Sequence, residues 1–261
     1  MIVRKQPDGS FILVNQSDHA RLSGILAAHW GNREFARPEP RESVIRAAAL
    51  HDCGWFSYET RPIYDQQLKA PPNFPQVPLD AQQLAAFQGG LDWLWGIDPY
   101  AGLLVSRHRT GLWRNRYGAV AYPPAPPPRV LSPEVEAFIA SNEAKQETAL
   151  AALDRAQVLV NYQLLQMLDL LSLYLCTSEP RADRLDFVPT SYAGNGRDGV
   201  VLTLTPHGDG RIAVTPYPFD QPAVQAAFVY RHLPAQDHAS NEDFRRAYFG
   251  AAPNVMTFTF V

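Results

Sequence analysis

Five side chains of metal-ligand type, His19, His51, Asp52, His108 and Asp169, fall on segments whose neighbours are apolar at helical spacing. Imidazole and carboxylate suit Zn, Mn or Fe and, with more oxygen donors and water, Mg. A buried ionisable group is costly unless paired or metal-bound, so one divalent metal ion inside a helical core is the simplest account of all five. His19, Leu22, Leu26 and His29 share one stripe, and Ala101, Leu104, Val105 and His108 another. A third joins Tyr162, Leu165, Asp169 and Ser172. His51 closes a line through Val44 and Ala48, whereas Asp52 closes the adjoining line through Ile45 and Ala49. Helical neighbours diverge by about 100°, so both reach one ion only if it sits over the edge between their faces. Other residues read as structural: His29 as a core histidine, His207, His232 and His238 as exposed and inert, and Cys53 as buried filler.

The elements that must position these groups follow from periodicity and caps. Helices are expected over about 18–30, 42–53, 81–95, 100–110, 133–150 and 153–175, with Asp98 and Ser132 as caps and Pro99 in a first turn. Ile2–Arg4 and Phe11–Val14 flank Pro7-Asp8-Gly9 as a hairpin, and Val200–Thr205, Arg211–Thr215, Val224–Arg231 and Met256–Val261 read as strands of a small antiparallel sheet. The irregular stretch 55–80, rich in proline and aromatics, reads as a substrate-facing loop. Pro123, Pro124 and Pro126 to Pro128 read as a stiff surface crossing.

Composition narrows the class. A length of 261 residues allows one large domain, or a domain with an appendage, and a sizeable core. Net charge of −3 without a Lys/Arg run excludes a duplex nucleic-acid surface. Val158–Cys176 approaches the length of a membrane span, but Asn161, Gln163, Gln166 and Asp169 interrupt it, so a core helix and no membrane are expected. Two cysteines and no apolar leader point to a reducing cytoplasm. The apolar content of the carboxy-terminal sheet leaves room for a homodimer without requiring one.

The order His19, then His51-Asp52, His108 and Asp169, on successive helices, resembles the HD-domain superfamily of metal-dependent phosphohydrolases. More closely, Gln16-Ser17-Asp18-His19-Ala20-Arg21-Leu22-Ser23-Gly24, Ala49-Leu50-His51-Asp52-Cys53-Gly54-Trp55 and Leu168-Asp169-Leu170-Leu171-Ser172 resemble the bacterial domain-of-unknown-function family 3891 over nearly the entire chain. The superfamily resemblance implies a mainly α-helical HD-like bundle core at 17–178; with the amino-terminal β-hairpin at 1–16 and the carboxy-terminal antiparallel β region at 179–261 read above, the chain is expected to be α+β, the carboxy-terminal region packed on the same unit and able to recruit the hairpin. The resemblance also implies that His19, His51, Asp52 and Asp169 bind the first metal, with Asp52 as the bridge to any second ion. His108 stands alone where two-metal members place additional histidines, a departure from the dinuclear pattern.

What the resemblance implies in chemistry is hydrolysis of a small phosphorylated molecule by a metal-activated water. Asp52 and Glu59 are then the catalytic candidates, Glu59 as general base or water-orienting group. Arg61, Lys69, Arg107 and Arg109 are the candidates for holding phosphate. Two alternatives use the same scaffold: a diiron oxygenase, and a non-catalytic metal-binding or sensor protein.

Overall fold

The computed structural model describes residues 1–77, 79–114, 130–193 and 199–261. The proline-rich crossing expected at Pro123 to Pro128 lies outside them. Strands β1 (Ile2–Lys5) and β2 (Phe11–Val14) lead into helices α1 (Gln16–His29) and α2 (Arg41–Leu50). After a 3-10 turn at Cys53–Trp55 come the one-turn helix α3 (Phe56–Glu59), a second 3-10 turn at Phe74–Gln76, and helices α4 (Ala81–Ile97), α5 (Pro99–Trp113), α6 (Pro133–Leu150) and α7 (Arg155–Thr177). Then follow β3 (Asp183–Pro189), β4 (Gly199–Pro206), β5 (Arg211–Thr215), β6 (Val224–Leu233), α8 (Asn241–Gly250) and β7 (Pro253–Phe260).

The caps do what their chemistry requires. Asp98 accepts from the Tyr100 and Ala101 amides, Ser132 from Val135, and Asp154 from Ala156 and Gln157, each satisfying amides that have no partner inside their helix. The long helix α7 passes the length and composition test for a membrane span, yet 78% of its apolar window is buried inside the protein.

The expectation of a mainly helical HD-like bundle with a small antiparallel sheet is overturned by the sheet itself, which is mixed and runs through both ends of the chain. Seven strands run in the order β1-β2-β6-β7-β5-β4-β3, so the amino-terminal hairpin and the carboxy-terminal strands belong to one mixed sheet. The join is β2 on β6, with Phe11 opposite Leu233 and Leu13 opposite Arg231. All four residues of β2 are buried. A two-stranded hairpin cannot supply that cover alone, and pairing with β6 plus packing under the helices does. One neighbour pair, β5 with β7, is parallel.

Alternation along β4 shows which face is covered: Leu202 and Leu204 are buried while Val201, Thr203 and Thr205 are exposed. A single apolar cluster joins the covered face to the helices, including Leu202, Val214 and Phe260 from strands with Leu26, Leu104 and Leu168 from helices. Two elements had no sequence signal of the expected kind. The edge strand β3 is charged and bulged, with Phe187 at φ 56°, and Gly199 is needed opposite because a Cβ there would lie 2.5 Å from the Phe187 Cα. Helix α8, capped by Ser240, hides in a polar stretch and buries only Phe244 and Tyr248.

Candidate metal centre

Helices α1, α2, α5 and α7 converge, and their contacts bring the five expected donors together in the core. Gly24 of α1 sits against Ala49 of α2, where a Cβ would come within 2.5 Å of the Ala49 Cβ, and this close approach sets His19 beside His51. Their rings meet edge to face with centroids 4.8 Å apart, and His51 meets His108 likewise at 5.1 Å. All five donors are buried, none more than 5% exposed.

One local expectation needs correcting. Helix α2 stops at Leu50, and His51 and Asp52 lie in the turn beyond it rather than on the helix. Asp52 adopts φ −110°, ψ 22°, and its carbonyl accepts from the Trp55 amide at 2.9 Å as the 3-10 turn begins. His51 keeps helical dihedrals at φ −60°, ψ −22°, and the two side chains still meet, His51 Nε2 lying 3.8 Å from Asp52 Oδ2.

The hydrogen-bond network assigns the His51 tautomer. His51 Nδ1 lies 2.8 Å from the Ala48 carbonyl, which only accepts, so Nδ1 carries the proton. In the neutral ring its Nε2 is a lone pair, and it faces Asp169 Oδ1 at 3.3 Å and Asp52 Oδ2 at 3.8 Å. The Ser172 hydroxyl donates to the Asp169 carbonyl at 2.9 Å and lies 2.8 Å from His19 Nδ1. That turns His19 Nε2 toward Asp52 Oδ2 at 3.0 Å. His108 Nε2 stands 3.8 Å from Asp169 Oδ2. The His51 lone pair, aimed at carboxylates, is repelled unless a cation lies between them, either a proton or a metal. Ligands bound at ~2.1 Å with tetrahedral to octahedral angles sit roughly 3 to 3.5 Å from one another, and the pairs in this cluster lie 3.0 to 3.8 Å apart.

Electrostatics agree. Burial works against ionised Asp52, but the His19 hydrogen bond and the nearby His51 and Arg109 hold its carboxyl far below the usual carboxylate range. Burial likewise opposes Asp169, and His51, with His19 and His108 behind it, lowers it to about 2. Burial disfavours the His51 cation too, yet Asp169 and Asp52 outweigh it and raise the imidazole to about 9. His108 goes the other way: burial, reinforced by His51 and Arg109, lowers it to about 3 against the pull of Asp169, leaving a neutral imidazole.

Around the donors lies a supporting layer. Arg109 Nη2 donates to Asp52 Oδ1 at 2.5 Å, its guanidinium plane held over Phe87 at 4.3 Å. Gln16, the first residue of α1, donates from Nε2 to Asp52 Oδ2 at 2.9 Å. Ser23 hydrogen-bonds Ser172 at 3.0 Å. Gln16 and Ser172 were legible only as parts of motifs, without roles. Their signal was position, three residues before His19 and three after Asp169, one helical turn from a ligand in each case. His19, Asp52, His108 and Asp169 open on a cavity of about 140 Å³ whose other walls include Trp55, Phe74, Leu112 and Leu173, and His51 lies behind them.

The remaining candidates are placed elsewhere. The Glu59 carboxylate accepts from the Ser17 amide at 3.0 Å and the Ser17 hydroxyl at 2.6 Å, and it does not line the cavity. Arg61 lines a separate cleft of about 350 Å³ with Arg245. Lys69 is exposed and paired with Asp237 at 2.8 Å. Arg107 lies with its guanidinium carbon 5.3 Å from the Tyr162 ring centre. His238, expected to be exposed, is 4% exposed and packs edge to face on Tyr64 and Phe244. Cys53 and Cys176 are free and buried.

A family profile described as "Protein of unknown function (DUF3891)" matches residues 1–235. No curated protein and no solved structure matches the chain.

Proposed function

We propose that this chain, which belongs to the DUF3891 family of proteins of unknown function, is a hydrolase of a small phosphate ester that works with one divalent ion held by His19, His51, Asp52, His108 and Asp169. The observation that carries this reading is His51: its Nδ1 proton is committed to Ala48, and its remaining lone pair faces two carboxylates beside an open cavity. The order of these donors along the chain, in keeping with the HD-superfamily resemblance, supports the same assignment. His51 also argues for a single ion rather than two. An imidazole with Nδ1–H committed has one donor atom left, so the two overlapping trios His19/His51/Asp169 and His51/Asp52/His108 cannot be filled together.

The bound ion, of the Zn, Mn, Fe or Mg class, supplies Lewis acidity at a phosphoryl oxygen and acidifies water. The chain supplies the rest. Gln16 and Arg109 hold the Asp52 carboxylate from both of its oxygens, so its direction is fixed before any ligand arrives. Arg109 uses one of its five donors on Asp52 and lines the cavity, where it meets the charge of a phosphoryl group. Trp55, Phe74, Leu112 and Leu173 wall off bulk water and offer apolar surface to the leaving group. In the reaction the water oxygen bonds phosphorus, the ester P–O bond breaks, and the proton lost by water ends on the departing alkoxide. A reducing cytoplasm suits two free thiols.

The test is metal analysis of protein purified without chelator, followed by a panel of phosphate esters with each candidate ion. One ion per chain and metal-dependent release of phosphate, abolished by Asp52→Ala, is the expected result. An ion bound at that ratio with no ester turned over overturns the reading, as does iron at two per chain with turnover that consumes oxygen.

A further inference from the structure

Gln16 is 2% exposed, and its Oε1 is buried with no hydrogen-bond partner among the described residues. An amide oxygen and nitrogen are told apart by their partners, and here the assignment is forced: Asp52 Oδ2 can only accept, so Nε2 must face it at 2.9 Å and Oε1 turns the other way. Gln16 lines the metal cavity together with Asp52 and Arg109. A buried acceptor without a donor is costly, and such atoms in a native site mark the place of a water or ligand.

The geometry points to Gln16 Oε1 as the acceptor for a hydroxyl carried by the occupant of this cavity: the attacking water before the reaction and the P–OH of the phosphate product after it. This rests on the hydrolase reading above and adds a catalytic residue and a ligand class to it. The two roles are one position. The oxygen that attacks phosphorus becomes the hydroxyl of the product, so the group that holds one hydrogen of the water also holds the hydroxyl of hydrogen phosphate. Gln16 takes no proton. By holding one O–H it turns a lone pair of the water toward phosphorus. Arg109 supplies donors to the anionic oxygens. The cavity of about 140 Å³ matches in size a site of ~150 Å³ that admits a benzene-sized molecule, enough for a phosphoryl group and little more. The preferred occupant is therefore a tetrahedral dianion bearing one hydroxyl, its ester group passing the apolar wall.

Hydrogen phosphate and monofluorophosphate separate this from mere anion binding. At mildly alkaline pH both are tetrahedral dianions of similar size, and only the first carries a hydroxyl. Calorimetry on the metal-loaded protein is expected to show hydrogen phosphate binding about tenfold tighter, the worth of one good hydrogen bond in a buried site. In Gln16→Met, which keeps the volume and loses both the acceptor and the donor to Asp52, the ratio of the two affinities falls to about one, whatever loss of affinity the two anions share. Equal affinity of the wild type for the two anions overturns the inference and leaves the hydrolase reading standing. A preference that survives Gln16→Met also overturns it. Binding of neither anion to metal-loaded protein is the failure of the hydrolase reading itself. The wild-type comparison needs no variant, so loss of folding in Gln16→Met does not remove the test.

Discussion

On the proposed metal reading, uptake of an ion must be paid in protons, and the amount follows from His51. With its imidazole held at about 9 by Asp169 and Asp52, His51 is protonated at neutral pH in the metal-free protein, and an ion binding Nε2 has to expel that proton. Two pH units separate neutrality from that value, so the competition costs roughly 3 kcal/mol, about a hundredfold in affinity. Asp169 and His108, lowered to about 2 and about 3, and Asp52, lowered further, are already deprotonated at neutral pH and release nothing. Apparent affinity for Mn²⁺, measured by chelator competition, should therefore rise about tenfold per pH unit from neutrality and level off as pH passes about 9. Calorimetry in two buffers of different ionisation enthalpy should find the His51 proton released with each ion. The sign for stability is the reverse. A raised folded-state value stabilises the metal-free protein fully below the unfolded value of about 6.5 and is lost as pH climbs through about 9, so metal-free protein should melt at lower temperature at alkaline pH. Affinity that does not change with pH, with no proton released, would refute the assignment of His51 as a ligand.

Asp169→Asn keeps the shape of the side chain and removes the charge facing His51, so metal affinity should fall by about a hundredfold or more in the same competition assay, with the helical circular-dichroism signal unchanged. Arg109→Met leaves Asp52 Oδ1 buried without its donor, and denaturant melts of the metal-free protein should show a loss of about 3–5 kcal/mol. Arg109→Lys should recover little of it, because lysine lacks the planar group that lies over Phe87. Gly24→Ala pushes a methyl to 2.5 Å from the Ala49 Cβ, and thermal melts should report about 1–3 kcal/mol lost together with weaker metal binding as His19 is levered from His51.

Much of the helical layer was legible because its signals are local. Asp98 and Ser132 cap helices by chemistry confined to three or four residues, and His19, His108 and Asp169 sit on stripes whose period is the helix itself. The family membership was legible in the motifs around the same residues. The strands other than β3 were legible too, but their order was not, because it depends on pairings between residues more than two hundred apart, such as Phe11 with Leu233. No period in β2 announces its partner, and the bulge at Phe187 breaks the alternation that would have revealed β3. At the site, the donors followed from residue type, whereas the supporting layer did not. Nothing in a glutamine at a helix start shows that its amide meets an aspartate thirty-six residues later, nor in Glu59 that Ser17 engages it first.

The seat of β7 between β6 and β5 has a consequence for assembly. β6 pairs with β2 on one side and β7 on the other, so the two halves of the sheet have no common strand until 253–260 docks. A nascent chain can form its helices and hairpins early, but β6 keeps a bare row of amides and carbonyls on one flank until then. Assembly governed by such distant pairings is slow, and the open flank is where neighbouring copies would stick. Chaperone dependence and aggregation on heating should therefore track the docking of this strand rather than the integrity of the helices around the His/Asp cluster.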